Sequence, residues 1–153
     1  MSQDHSPTRK ISLVSLERQP AHSEGCPLIL VVDDEPGLLE VMALGLEMHG
    51  YRVVTASNGK VALEVLDQCE VDFVVSDIRM PEVDGLELLS QLRKRSEQKL
   101  NQKLKVPQII LMTGYSGLTR EEALMNGALE MLMKPFLLDE LLSILDGPLV
   151  LTK

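Results

Sequence analysis

Val71-Asp72-Phe73-Val74-Val75-Ser76-Asp77-Ile78-Arg79-Met80-Pro81-Glu82-Val83-Asp84-Gly85 is the stretch whose reading decides the fold. A short apolar run meets an acid, a proline turn follows, and a helix starts. The run is continuous, the pattern of a strand buried on both faces in a parallel sheet. Asp77 sits where it stops. A carboxylate held at the tip of such a strand is placed for chemistry.

The same texture recurs on either side. Leu28-Ile29-Leu30-Val31-Val32 is another apolar run, stopped by Asp33-Asp34-Glu35-Pro36. Pro36 suits the first turn of a helix. Leu38, Leu39, Met42 and Leu46 give that helix an apolar face, and His49-Gly50 ends it. Residues 51–56 read as the next strand, and Ser57-Asn58-Gly59 turns into a helix carrying Val61, Ala62, Val65 and Leu66. Past the opening stretch, Asp84 to Glu87 has capping-box spacing, and Leu86, Leu89 and Leu92 form a helical stripe. Residues 106–112 read as a fourth strand ending at Thr113-Gly114. Thr119 to Glu122 repeats the capping-box spacing ahead of a short helix closed near Asn126-Gly127. Residues 129–133 are a weaker fifth strand, ending at Lys134-Pro135-Phe136. A last helix, Leu138 to Leu145, stops at Asp146-Gly147-Pro148.

This alternation predicts an α/β domain, a doubly wound five-stranded parallel sheet with helices on both faces. Right-handed crossovers bring all strand C-terminal ends to one edge, where ligands of such sheets bind. The flavodoxin-like order 2-1-3-4-5 is adopted by analogy; it makes the first and third strands neighbours. The expected organisation is a disordered or loosely structured leader over 1–27, a domain over 28–146 and a tail over 147–153. The leader is polar, with Pro7, Pro20 and Pro27, and holds one apolar segment, Ile11-Ser12-Leu13-Val14-Ser15-Leu16, with the look of a short strand or docking motif. No second domain is expected to follow.

Composition narrows the classes. The 153 residues suffice for one domain with a sizeable core. With 3% aromatics and no Trp, that core must be aliphatic. A net charge of −8 argues against nucleic acid as a direct partner. Cys26 and Cys69 show no metal-like spacing and read as reduced thiols. No apolar run approaches the roughly 18 residues of a membrane span, and no secretory signal is apparent. A cytoplasmic protein is expected. Residues 93–105 are basic, with Arg93, Lys94, Arg95, Lys99, Lys103 and Lys105 against Glu97. They read as a solvated face, the alternative being a site for an acidic partner.

The chemistry gathers at the strand ends: Asp33 and Asp34, then Asp77, Thr113 and Lys134. Carboxylates brought this close repel and raise one another's pKa unless positive charge intervenes. Lys134 offsets one charge. A divalent cation would offset two more, and oxygen ligands suit Mg²⁺. A carboxylate is ionised at neutral pH and needs no partner base, which fits the lack of a suitable histidine among His5, His22 and His49. Phosphoryl transfer asks for positioning and charge neutralisation more than for proton chemistry.

Asp33-Asp34, the D-x-x-M-P-x-x-D-G pattern from Asp77 to Gly85, Met112-Thr113-Gly114 and Lys134-Pro135-Phe136 together resemble the receiver domain of two-component response regulators. The resemblance covers residues 27–145, with all four motifs in family order. It implies that Asp77 is the phospho-acceptor and that Asp34, Asp77 and the backbone carbonyl of Arg79 ligate Mg²⁺, with Asp33 acting largely through water. It further implies that Lys134 pairs with the phosphate, that the bond to Pro135 is cis, and that Thr113 hydrogen-bonds the phosphoryl group. The phosphate would come from a sensor histidine kinase or histidine phosphotransfer protein. The signal would leave through the fourth helix, fifth strand and fifth helix to a downstream protein, without an output domain of its own; a phosphorylation-dependent dimer fits the same scheme. The chain would thus be a signalling switch rather than a turnover enzyme.

Three features depart from the family pattern. Met131 stands where a switching Tyr or Phe is usual. Arg79 and Tyr115 hold the variable positions that tune hydrolysis, and the bulk of Tyr115 implies slow attack by water. The basic segment lengthens the link between the third and fourth strands.

Other readings fit less well. A haloacid-dehalogenase-type hydrolase needs D-x-D, and this chain has Asp77-Ile78-Arg79. A dinucleotide fold needs a glycine fingerprint where Asp-Asp-Glu-Pro stands. A pseudo-receiver acting without phosphorylation is the main alternative, and the complete acid set argues against it. Asp34 has a second reading as a helix cap before Pro36, and Asp84 reads as a cap.

Overall fold

Apolar runs with no polar face can only be satisfied between two layers, and the chain builds that arrangement. The computed structural model describes residues 25–80, 82–98, 106–114 and 117–147. The apolar segment at 11–16, most of the leader, Pro81, the second half of the basic run, Tyr115 and the end of the tail lie outside them. Strands β1 (Leu28–Val32), β2 (Arg52–Ala56), β3 (Phe73–Asp77), β4 (Gln108–Thr113) and β5 (Glu130–Met133) form one parallel sheet in the order β2-β1-β3-β4-β5. The helices between and after them are α1 (Pro36–Met48), α2 (Gly59–Gln68), α3 (Gly85–Gln98), α4 (Arg120–Met125) and α5 (Leu138–Leu145).

Period-two alternation along each strand divides the core. Leu28, Leu30 and Val32 of β1 join Val74, Ile109, Leu111 and Met131 on the face covered by α2, α3 and α4. Ile29 and Val31 join Val53, Val75, Ile110 and Met112 on the face covered by α1 and α5. Both layers are almost purely aliphatic, as the composition requires. Among the described residues, no helix is long and apolar enough to cross a membrane.

Local chemistry sets the element ends. Pro107 lacks the N–H a strand ladder needs, so β4 starts at Gln108, two residues later than the apolar pattern suggests, and runs on through Thr113. Asn58 caps α2, its side chain accepting from the Val61 N–H at 2.9 Å. Thr119 and Glu122 make a complete capping box on α4. On α3 the Asp84 carboxylate accepts from the Glu87 N–H at 2.8 Å, while the Glu87 carboxylate accepts from Gln91 at 3.0 Å. The cap of α1 is Glu35, with no side-chain cap bond. Asp34 therefore does not cap that helix.

Two glycines seat the segment that follows β3. The Gly85 N–H donates to the Ile78 carbonyl at 2.8 Å. A Cβ on Gly85 would stand 2.5 Å from the Asp77 carbonyl oxygen, and one on Gly59 would stand 2.3 Å from that of Val83. Both contacts are with backbone, which cannot swing aside. Between them Glu82 adopts φ 65°, a left-handed conformation that costs a residue bearing a Cβ about 1 kcal/mol or more.

Gly85→Ala is therefore expected to destabilise the domain by about 1–3 kcal/mol, the usual cost of overpacking, read as a lowered urea midpoint. Gly37→Ala, in α1 with open space around it, is expected to be neutral or to stabilise by up to about 1 kcal/mol. Equal effects at the two positions would contradict the packing argument.

Candidate functional site

Register brings the acids together. Val32 pairs with Ser76 across β1 and β3, so Asp33 and Asp77 leave neighbouring strands at the same level. Asp77 in turn pairs with Met112, one residue before Thr113, and Thr113 pairs with Met133, one residue before Lys134. The Lys134 N–H donates to the Thr113 carbonyl at 2.8 Å, fixing the tip of β4 to the start of the β5–α5 connection. The Lys134–Pro135 peptide is cis.

The Lys134 ammonium donates to Asp33 Oδ2 at 2.9 Å and to Asp77 Oδ2 at 3.3 Å. Asp33 is fully buried, and its other oxygen accepts from the Glu35 N–H at 2.9 Å. Asp77 is buried and also receives the Arg79 backbone N–H. Asp34 is exposed. One carboxylate oxygen from each of Asp33, Asp34 and Asp77 lies within 4.8 Å of the others. Three hard oxygen donors, one of them open to solvent, against a single ammonium leave negative charge uncompensated. That donor set fits a hard divalent cation such as Mg²⁺.

The electrostatics follow from crowding and burial. Burial raises the Asp77 pKa most; the Lys134 charge opposes this, the Asp33 charge adds to it, and the balance stays above the ordinary carboxylate value. For Lys134, burial alone would lower the ammonium's pKa. The bonds to Asp33 and Asp77 outweigh it and hold Lys134 above the usual lysine value.

The strand-tip residues Asp33, Asp34, Asp77, Thr113 and Lys134 thus share one edge. Thr113 is fully buried there. Of Arg79, the backbone N–H is the group seen at Asp77. Met131 is buried in the core layer covered by α2, α3 and α4. Tyr115 is outside the described residues. Pro135 turns to an apolar groove of about 430 Å³ beside the acids, bordered by Leu38, Val41, Phe136 and Leu138. Along α1, Val41, Leu44 and Met48 are 69%, 61% and 75% exposed.

The sequence reading missed several contributors. The Glu35 and Arg79 N–H groups orient the carboxylates, but backbone donors carry no signature in residue type. Gly59 seats Val83 from 24 residues away. The exposed ridge of α1 had a readable signal, since Val41, Leu44 and Met48 recur at helical spacing beside the core stripe.

Known proteins offer a comparison. The family model for the response regulator receiver domain matches residues 29–146. Over 134 residues the chain is 37% identical to the transcriptional regulatory protein GlrR of Escherichia coli K12, covering 88% of this chain and 27% of that protein. It is 34% identical over 126 residues to the transcriptional regulatory protein TrcR of Mycobacterium tuberculosis, covering 82% of this chain and 46% of that one. The chain therefore spans about a quarter to a half of these relatives. Among solved structures, response regulator protein TrrA of Thermotoga maritima, in complex with Mg²⁺-BeF, aligns with a TM-score of 0.66 and 36% identity, covering 78% of this chain and 96% of that one.

A raised pKa has a signed consequence. Native Asp77 keeps its proton to higher pH than the unfolded chain does, so stability falls as pH rises through that interval. In chelator at pH 7, Asp77→Asn is expected to stabilise the domain by about 1 kcal/mol, as single stabilising changes do, read as a raised melting temperature. The gain should shrink as pH falls into the carboxylate range. A pH-independent effect would rule out the burial of an ionised carboxylate as its origin.

Proposed function

The chain belongs to the response regulator receiver domain family, and on that premise we propose that Asp77 accepts a phosphoryl group from a sensor histidine kinase or histidine phosphotransfer protein. The observation that carries this reading is the Lys134 ammonium shared between Asp33 and Asp77 at the strand tips. A carboxylate oxygen of Asp77 attacks phosphorus as the bond to the donor's histidine nitrogen breaks. The departing imidazole takes a proton from solvent. Lys134 and the Thr113 hydroxyl neutralise charge on the phosphoryl oxygens as they move. Asp34, Asp77 and the Arg79 carbonyl would hold Mg²⁺, with Asp33 acting largely through water. When bound, the ion offsets the carboxylate repulsion and draws charge from the phosphoryl group. From the resemblance, Arg79 and Tyr115 hold the variable positions that tune hydrolysis, and the bulk of Tyr115 slows attack by water.

The donor protein meets the chain at the apolar groove of Leu38, Val41, Phe136 and Leu138. This groove shares Lys134 and Glu35 with the acid edge, so a helix seated there carries its histidine to Asp77. Output leaves by protein contact through α4, β5 and α5, with Met131 repacking in place of a rotating aromatic ring, and with dimerisation of the phosphorylated form. The net charge of −8 supports protein contact over direct nucleic-acid binding. A second reading comes from the relatives' names: the same acceptor switching a DNA-binding region. A mobility shift of duplex DNA by the phosphorylated chain would favour it.

With an acyl phosphate as donor, Mg²⁺-dependent labelling of the wild type is expected and Asp77→Asn should abolish it. Labelling that survives the substitution would refute the assignment, and no labelling of either protein would favour a phosphorylation-independent adaptor. Removing Mg²⁺ with a chelator should reduce labelling at least about 100-fold, as loss of charge neutralisation in phosphoryl transfer does. Val41→Lys should slow transfer from a protein donor while leaving labelling by the acyl phosphate unchanged. Equal slowing of both would place Val41's effect in the fold rather than in docking.

A further inference from the structure

A second groove opens between α3 and α4, on the sheet face opposite α1 and α5, and the reactions proposed above do not use it. It measures about 410 Å³ and is bordered by Leu86, Leu89, Leu118, Arg93, Lys94 and Glu97, with Ser90 and Asn126 completing the wall. Leu86 is partly exposed, and it and Leu118 supply an apolar floor. Arg93 and Lys94 are exposed at its rim.

Arg93 is positioned rather than loose. Its stem packs beside Gly127, where an added Cβ would stand 3.3 Å from Arg93 Cδ. One guanidinium nitrogen donates to the Asn126 carbonyl at 3.4 Å. That bond uses one of the five donors an arginine carries. The next cation along, Arg95, is engaged elsewhere, in an ion pair with Asp67 at 2.9 Å. The positive charge facing the groove is therefore that of Arg93 and Lys94.

We propose that this groove receives an acidic segment of a partner protein, with an apolar side chain on Leu86 and Leu118 and carboxylates on Arg93 and Lys94. Charge complementarity selects this occupant. The chain carries 23 acidic against 15 basic residues, yet the two cations Arg93 and Lys94 line this one groove. A pair of cations on an otherwise anionic protein steers acidic partners to one place. Glu97 sets the class of partner. A carboxylate in the same wall opposes a uniform polyanion such as a phosphate backbone, whereas a peptide can place an apolar or amide side chain opposite it. The apolar floor argues the same way, because phosphates gain nothing from burying leucine surface. This surface is additional to the donor groove on α1 and to the α5 side of the output face.

The test is a titration of the isotope-labelled full chain, followed by amide NMR, with a synthetic peptide of about twelve Asp, Glu and Leu residues. A peptide with Leu replaced by Ser and a single-stranded oligonucleotide of equal charge serve as comparisons. The proposal expects shifts confined to Leu86, Ser90, Arg93, Lys94 and Leu118, weakened at least about tenfold by Lys94→Glu or by replacing the leucines. Lys94 is exposed, so its variant keeps the fold, which the remaining amide positions verify. Affinity should also fall as salt rises from about 50 to 500 mM, as screening of exposed charges requires. Shifts centred elsewhere, unchanged affinity in Lys94→Glu, or oligonucleotide binding at the same residues as tight as the peptide's would overturn it.

Discussion

The ammonium of Lys134, 2.9 Å from Asp33 and 3.3 Å from Asp77, lets two buried carboxylates stand on adjacent strands. Without it the sheet edge would gather negative charge in a place with little water to screen it. Burial of the Asp77 carboxylate, with the Asp33 charge adding to it, outweighs the pull of Lys134 and leaves the Asp77 pKa raised. The site is therefore held short of electrostatic rest by a scaffold that does not depend on it. The scaffold is the aliphatic double layer on either side of β1 and β3, whose central strands are buried throughout.

The loop after β3 shows how closely that scaffold is fitted to the acid. Gly85 lies against the carbonyl of Asp77 and Gly59 against that of Val83, so α2 and α3 together determine where Asp77 can be. The left-handed Glu82 between them stores backbone strain at the same place. Strain, crowded charge and close backbone contact are thus concentrated within a few residues of one carboxylate. The rest of the domain follows ordinary rules of capping and aliphatic packing.

The two faces of the sheet also differ in what they leave uncovered. On the α1 side a ridge of Val41, Leu44 and Met48 borders the groove next to Lys134. On the other side α4 contributes one buried residue, Ala123, to the core. Much of what holds it is polar: its capping box, a paired Arg120 and Glu130, and Arg93 at its carbonyl end. A helix anchored this way responds to charge more readily than one anchored by leucines. Met131 is buried in the same core layer as Ala123.

Local sequence determined the elements and their polarity. Continuous apolar runs stopped by Asp33, Asp77, Thr113 and Lys134 can be read without a structure, because burial on both faces removes alternation and leaves the first polar residue conspicuous. Caps at Asp84 and Thr119 were legible too, being interactions over three residues. The parallel sheet read from the strand–helix alternation, and the strand order adopted by analogy, stand in the structure as expected. Tertiary structure alone decided the rest. The sharing of Lys134 between Asp33 and Asp77, the wedging of Gly59 against Val83 and the groove between α3 and α4 join residues far apart in the chain. No local pattern encodes such distances, because they are set by which helices cover which face once the whole core has closed.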